Sequence, residues 1–110
     1  MNNVEVAMSL IGGAGDSRAF CMEAINHAKE GRFDEARDAV KSAVSAMVET
    51  HKTQTQLICS EMEGKGELVS LLMVHAQDHL NLAIVMRDVV EEFITVYERL
   101  DRLERGSCGM

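Results

Sequence analysis

Apolar residues in the last third of the chain fall on two helical stripes. Stepping alternately three and four residues from Leu68 gives Leu71, His75, Asp78, Leu82, Val85 and Val89. After one extra four-residue step the line continues through Phe93, Val96, Leu100 and Leu103, a heptad-like seam. The second stripe is Val69, Leu72, Ala76, Leu80, Ala83, Val90, Ile94 and Tyr97. The pattern predicts a long helix 3 over about 67–103, on the order of 55 Å at 1.5 Å per residue. A helix apolar on two sides has two neighbours to satisfy. Two other helices of the same chain can cover only part of it, so the remaining stripe implies self-association.

Upstream, Val4, Met8, Ile11, Met22 and Ile25 recur at helical spacing, with Gly15 and Arg18 filling the intervening seam positions. They predict helix 1 over about 3–30, closed by Gly31 as the residue after its C-cap. Gly12-Gly13-Ala14-Gly15 lies inside it, each glycine costing about 0.8 to 1 kcal/mol relative to Ala. With no GxGxxG or Walker pattern and no preceding strand, close helix approach or a local break explains it better than a phosphate cradle. Helix 2 is expected from Phe33 to Met62, with Asp34 and Glu35 in its first turn where the helix dipole favours them. Its apolar side reads Ala36, Val40, Val44, Met47, His51, Thr55, Ile58 and Met62. His51 reads as a hydrogen-bonded core histidine, while Gln54 and Thr55 could donate to a nearby site. Glu63-Gly64-Lys65-Gly66 breaks the chain before helix 3. No self-similarity at the helical-repeat period of about 34 residues follows the Gly31-Arg32-Phe33 turn, so a repeat array is not expected. The fold class is all-α: one domain over 1–105 with a flexible tail at 106–110.

Composition agrees. The chain of 110 residues has no Pro and no Trp, three Phe and one Tyr, and is rich in helix formers. Eleven basic against 18 acidic side chains leave a formal charge of −7, which argues against nucleic acid or an anionic membrane as partner. Cys21, Cys59 and Cys108 are odd in number and form no CxxC pair, so they read as free thiols of a cytoplasmic protein. Nowhere do about 18 apolar residues run together, so no membrane insertion is expected.

Chemistry enters where the seam is interrupted. A carboxylate at Asp78 on a packed stripe costs several kcal/mol unless paired. If helix 3 lines the axis of a parallel homo-oligomer, copies of Asp78 meet and repel unless a proton or cation intervenes. A hard divalent ion such as Mg²⁺ would resolve it. A zinc site from His75, His79 and Asp78 is the alternative, although it lacks the catalytic Glu of HExxH and a remote third ligand. A neutral imidazole at the edge of such an assembly can also act as a nucleophile, its ordinary pKa of about 6.5 leaving a lone pair free. Phosphoryl acceptance then needs little more than positioning and nearby donors, which Gln77 and His79 could supply. A helical scaffold without chemistry, its buried polar residues fixing register, is the competing reading.

The segment His75-Ala76-Gln77-Asp78-His79-Leu80 resembles the IIA component of the lactose/cellobiose (chitobiose) class of the sugar phosphotransferase system. Glu49 to Thr55 in helix 2, and Leu10-Ile11 through Gly15 and Arg18-Ala19 in helix 1, extend the resemblance over nearly the whole chain. It implies an antiparallel three-helix bundle protomer with a long third helix, assembled as a parallel homotrimer. It further implies that His75 carries a phosphoryl group taken from phospho-HPr and passed to a cysteine of the IIB component, and through it serves the membrane IIC transporter. Asp78 would hold a metal shared by three subunits, with Gln77 and His79 supporting the phosphoryl site. Ala76, where lactose-type members have Gly, looks more like the cellobiose/chitobiose branch, whereas Asn81 departs from the Met expected there. The transported sugar would be a β-linked disaccharide such as cellobiose, chitobiose or lactose, recognised by the membrane partner.

Overall fold

The computed structural model describes the backbone of residues 2–109 and the side chains of residues 2–106, so the Cys108 side chain and Met110 fall outside it. Three helices follow in order: α1 (Asn3–Lys29), α2 (Phe33–Met62) and α3 (Leu71–Gly109). Asn2 caps α1, its side-chain oxygen accepting from the Glu5 N–H at 2.9 Å. Gly31, at φ 77°, takes the left-handed conformation just past the end of α1. The Arg32 N–H then reaches back to the His27 carbonyl at 2.9 Å, closing a Schellman motif. Gly64, at φ 78°, ends α2 in the same way, with the Lys65 N–H on the Ser60 carbonyl.

Helix α3 differs at both ends from the sequence expectation. It starts at Leu71, four residues later than Glu67, because the Ser70 hydroxyl accepts from the Met73 N–H at 3.1 Å and caps the helix there. It continues past Leu103 to Gly109.

The chain runs up, down and up. Ala7, Leu10 and Ala14 of α1 meet Met47 of α2 and Ala76, Leu80 and Ala83 of α3 at one end. Cys21, Ala24 and Ala28 meet Ala36, Ala39, Val40 and Ala43, with Val90 and Ile94, at the other. The result is a rod of 66 × 21 × 20 Å. Its core is rich in small residues, which corrects the expected face of α1 and part of that of α2, where Ala36, Val40 and Met47 are buried as expected. Val4, Met8 and Met22 of α1, and Val44, Ile58 and Met62 of α2, point outward. The buried side of α1 is instead Ala7, Leu10, Ala14, Ser17, Cys21, Ala24 and Ala28. Small side chains let helix axes approach closely, and periodicity scored on large aliphatics alone picks the wrong face. At Gly13 an added Cβ would lie 1.8 Å from the Thr50 hydroxyl oxygen, so the close-approach reading of the glycine stretch holds at that position. Gly12 and Gly15 face open space. Ser17 is fully buried and donates to the Ala43 carbonyl at 2.9 Å, so its hydroxyl is satisfied across the same contact.

The two stripes of α3 separate cleanly. Ala76, Leu80, Ala83, Val90 and Ile94 are buried within the chain, whereas Leu82, Val85, Val89, Phe93, Val96, Leu100 and Leu103 are all exposed. One stripe, apart from the exposed Val69 ahead of the helix, is the core, and the heptad-like seam has no partner among the described residues of the chain.

Candidate functional site

The motif at the start of α3 sends each side chain in a direction set by helical geometry. Ala76 and Leu80 go inward and anchor the segment in the core. His75 and Asp78 lie on the exposed seam, His79 is partly covered, and Gln77 is half-buried on the side facing α2.

His75 and His79, one helical turn apart, meet edge to face with ring centroids 4.5 Å apart and planes at 88°. Their Nε2 atoms lie 3.1 Å apart, so one of the two carries the proton and donates while the other accepts. Gln54 of α2 donates from Nε2 to the Gln77 Oε1 at 2.8 Å, with Asn81 Oδ1 at 3.5 Å. Gln77 in turn directs its Nε2 toward the Met73 sulfur at 3.7 Å. The amide of Gln77 is therefore held in place from both sides, level with the histidine pair along α3 but on the face turned toward α2.

Of the helix 2 residues the sequence pointed to, Gln54 reaches the site. Thr55 turns back on its own helix, its hydroxyl donating to the His51 carbonyl at 3.1 Å. His51 is not a core residue: it is exposed and lines a groove of about 270 Å³ with Val44, Val48, Ile84 and Arg87. A cavity of about 400 Å³ opens on the other side of Gln77, walled by Leu57, Ile58, Leu68, Met73 and Val74. Sequence reading missed this cavity because it depends on the non-helical path of residues 65–70 leading into the Ser70 cap. A serine two residues ahead of an apolar periodic run was the available signal.

Asp78 is exposed and takes part in no ion pair among the described residues. Nor do any three His, Cys, Asp or Glu side chains gather among the described residues of one chain in a way that could hold a metal. Asp78 offers a hard oxygen donor of the kind Mg²⁺ takes, but a single one.

With this geometry in hand, comparison with known proteins is informative. A family model described as "PTS system, Lactose/Cellobiose specific IIA subunit" matches residues 5–98. The chain is 38% identical over 103 residues to the lichenan-specific phosphotransferase enzyme IIA component of Bacillus subtilis, covering 94% of this chain and 93% of that protein. It is 34% identical over 102 residues to the lactose-specific EIIA component of Staphylococcus epidermidis, covering 90% and 98%. The crystal structure of the cellobiose-specific enzyme IIA from Bacillus anthracis superimposes with a TM-score of 0.87 at 40% identity, covering 93% and 94%.

A three-helix phosphotransferase component with a histidine presented on its last helix is the class that fold and site define together. The chain belongs to the lactose/cellobiose-specific IIA family of the sugar phosphotransferase system, and its work is phosphoryl carriage in sugar uptake. Among the described residues no helix is long and apolar enough to cross a membrane.

Proposed function

We propose that His75 is the phosphoryl carrier, accepting the group from the phosphohistidine of HPr and passing it to a cysteine of IIB, for uptake of a β-linked disaccharide through IIC. The observation that carries this reading is the exposed His75 ring with the His79 Nε2 at 3.1 Å. With the proton on His79, the His75 Nε2 is the unprotonated nitrogen of its ring, and its in-plane lone pair is freed to attack phosphorus once His79 shifts its hydrogen bond to an incoming phosphoryl oxygen. The phosphorus–nitrogen bond at HPr breaks as a new one forms at His75. Onward transfer breaks that bond as the IIB thiolate attacks. His79, a donor before transfer, remains placed to donate to a phosphoryl oxygen afterwards, which is the positioning and charge stabilisation this chemistry requires. Gln77, fixed by Gln54, supports the site from the α2 side of the helix.

The exposed seam of α3 is best satisfied by two further copies around a common axis, giving a parallel homotrimer. In that arrangement Asp78 of each copy faces the axis. One chain supplies only one carboxylate there, so a bound Mg²⁺ would be held by Asp78 from all three. Its contribution would be to neutralise their mutual repulsion.

Incubation with phosphorylated HPr is expected to add one acid-labile phosphoryl group per chain. His75→Ala should abolish that labelling while leaving the helical content unchanged; a mutant that still labels would contradict the assignment.

A further inference from the structure

The four histidines of the chain differ in what stands beside them. His27 has the Glu35 carboxylate at 3.3 Å, but its Nδ1 also accepts from the Arg32 Nε–H at 3.1 Å. That nitrogen is spent, and the guanidinium repels any cation approaching it. His51 shares its groove with Arg87 and with no second imidazole, thiolate or carboxylate. Among the described residues, two imidazole nitrogens converge only at His75 and His79, whose Nε2 atoms lie 3.1 Å apart.

That spacing is a chelating one. Histidines at i and i+4 on one helix face are a recurrent pair of ligands to first-row transition ions. An ion about 2.0 to 2.1 Å from each nitrogen would see them about 100° apart, between the octahedral right angle and the tetrahedral angle. Rings bound in that way would have their centroids about 4.8 Å apart, against 4.5 Å in the protein. Only a small tilt of the rings seats the ion, and among the described residues neither ring has another hydrogen-bond partner to give up. No third protein donor joins the pair, which makes it too small for a structural or catalytic zinc centre. A reversible chelate needs less, because His75 is exposed and water can fill the remaining positions. Imidazole suits Zn²⁺, Cu²⁺ and Ni²⁺, whereas Mg²⁺ takes oxygen, so the histidine pair and Asp78 select different ions.

We infer that the Nε2 atoms of His75 and His79 chelate a divalent transition ion of the Zn²⁺ class, and that the bound ion shuts off phosphoryl transfer by occupying the His75 lone pair. The chelate stands on geometry alone; the shut-off rests on His75 being the carrier. Binding balances as a change of tautomer. The proton held between the rings leaves Nε2 for Nδ1 of the same ring through solvent, both rings stay neutral, and two nitrogen–metal bonds replace the hydrogen bond and a pair of the ion's water ligands. Ion and phosphoryl group exclude each other, so the phosphorylated chain binds the ion correspondingly more weakly.

Calorimetric titration of the untagged, unphosphorylated chain with ZnCl₂ in saturating Mg²⁺ should show one ion per chain. His75→Ala and His79→Ala should each weaken binding at least about ten-fold, since each removes the intramolecular second contact of the chelate, while His51→Ala should leave it unchanged. Saturating Zn²⁺ should stop labelling of the parent by phospho-HPr, and a zinc-selective chelator should restore it. The slower labelling of His79→Ala should be indifferent to the ion at that concentration. Zn²⁺ bound equally well by the parent and both variants would overturn the chelate. A parent that binds Zn²⁺ through both rings yet labels at full rate would overturn the shut-off and count against His75 as carrier, with the chelate left standing.

Discussion

At the scale of single residues, the site is an example of one turn of helix dividing its labour. Position 76 must be small because it is fully buried against α1, and Leu80 must fill the core, so both anchor the histidines without touching the chemistry. His75 and His79 share a turn, and their Nε2 atoms lie 3.1 Å apart. Under the proposed roles His79 is a positioning donor and His75 the acceptor. His79→Ala should therefore slow phosphoryl transfer from HPr by about 10²-fold, the scale of one lost oxyanion donor, where His75→Ala removes it altogether. Rapid-quench labelling separates the two; equal and complete loss in both variants would assign His79 a larger role. The motif was legible in sequence because polar residues interrupted an apolar stripe, and chemistry alone distinguishes the interruption. Its tie to Gln54 was only half legible. Both Gln54 and Thr55 lay on the right turn of α2, but the Thr55 hydroxyl satisfies itself on the His51 carbonyl, a local bond that competes with any distant one. Of the thiols, Cys21 is buried within the core, where desolvation pushes its pKa up against a smaller opposing pull from Arg87. Cys59 is exposed.

At the scale of helices, packing follows residue size more than residue hydrophobicity. The three helices were legible in number and nearly in extent, since caps and breakers at Gly31, Gly64 and Ser70 act locally. The buried face of α1 was not, and that of α2 only in part: Ala36, Val40 and Met47 lay on the expected side, but alanines carry much of both faces while Met8, Met22 and Val44 face out. Neighbouring glycines therefore answer oppositely to the same substitution. Gly13→Ala must displace Thr50 and should destabilise the fold by about 1 to 3 kcal/mol, the range for overpacking. Gly12→Ala meets nothing and should stabilise by up to about 0.8 to 1 kcal/mol from helix propensity. Urea unfolding of the two variants checks the sign of each. Between α2 and α3, Arg37 donates to Glu98 at 2.6 Å. That hydrogen bond, helped by the positive charges of Arg37 and Arg102, holds the Glu98 carboxyl below its ordinary range. A depressed carboxylate pKa contributes stability that is present above the unfolded value and is lost as pH falls through the folded one. Melting temperature should accordingly fall on acidification below about pH 4.5, the usual carboxylate range, and Arg37→Ala should flatten that part of the curve. The pair is half-exposed, so salt should weaken it.

At the scale of the whole molecule, the most informative feature is what one chain leaves uncovered. Seven large apolar residues from Leu82 to Leu103 line one exposed side of α3, an arrangement a monomeric rod would have no reason to keep. Two stripes on α3 were readable from spacing alone, and the structure assigns one to the core. Assigning the other to further copies is our proposal, as is the ion that lets Asp78 sit there. If carboxylates from three chains share Mg²⁺, chelation should lower the melting temperature of the parent trimer. Asp78→Leu should remove that sensitivity while keeping or raising stability, since an apolar seam residue replaces a repelling one. A parent protein whose melting ignores both chelator and added Mg²⁺ would argue against the shared ion.

The account turns on His75 as the atom-bearing site of transfer, and mapping the phosphoryl group tests it most directly. After reaction with phospho-HPr, ³¹P–¹H correlation spectra of the intact protein should show a single phosphohistidine coupled to the His75 ring and absent in His75→Ala. Coupling to His79, His51 or His27 instead, or no phosphohistidine while HPr is discharged, would contradict it.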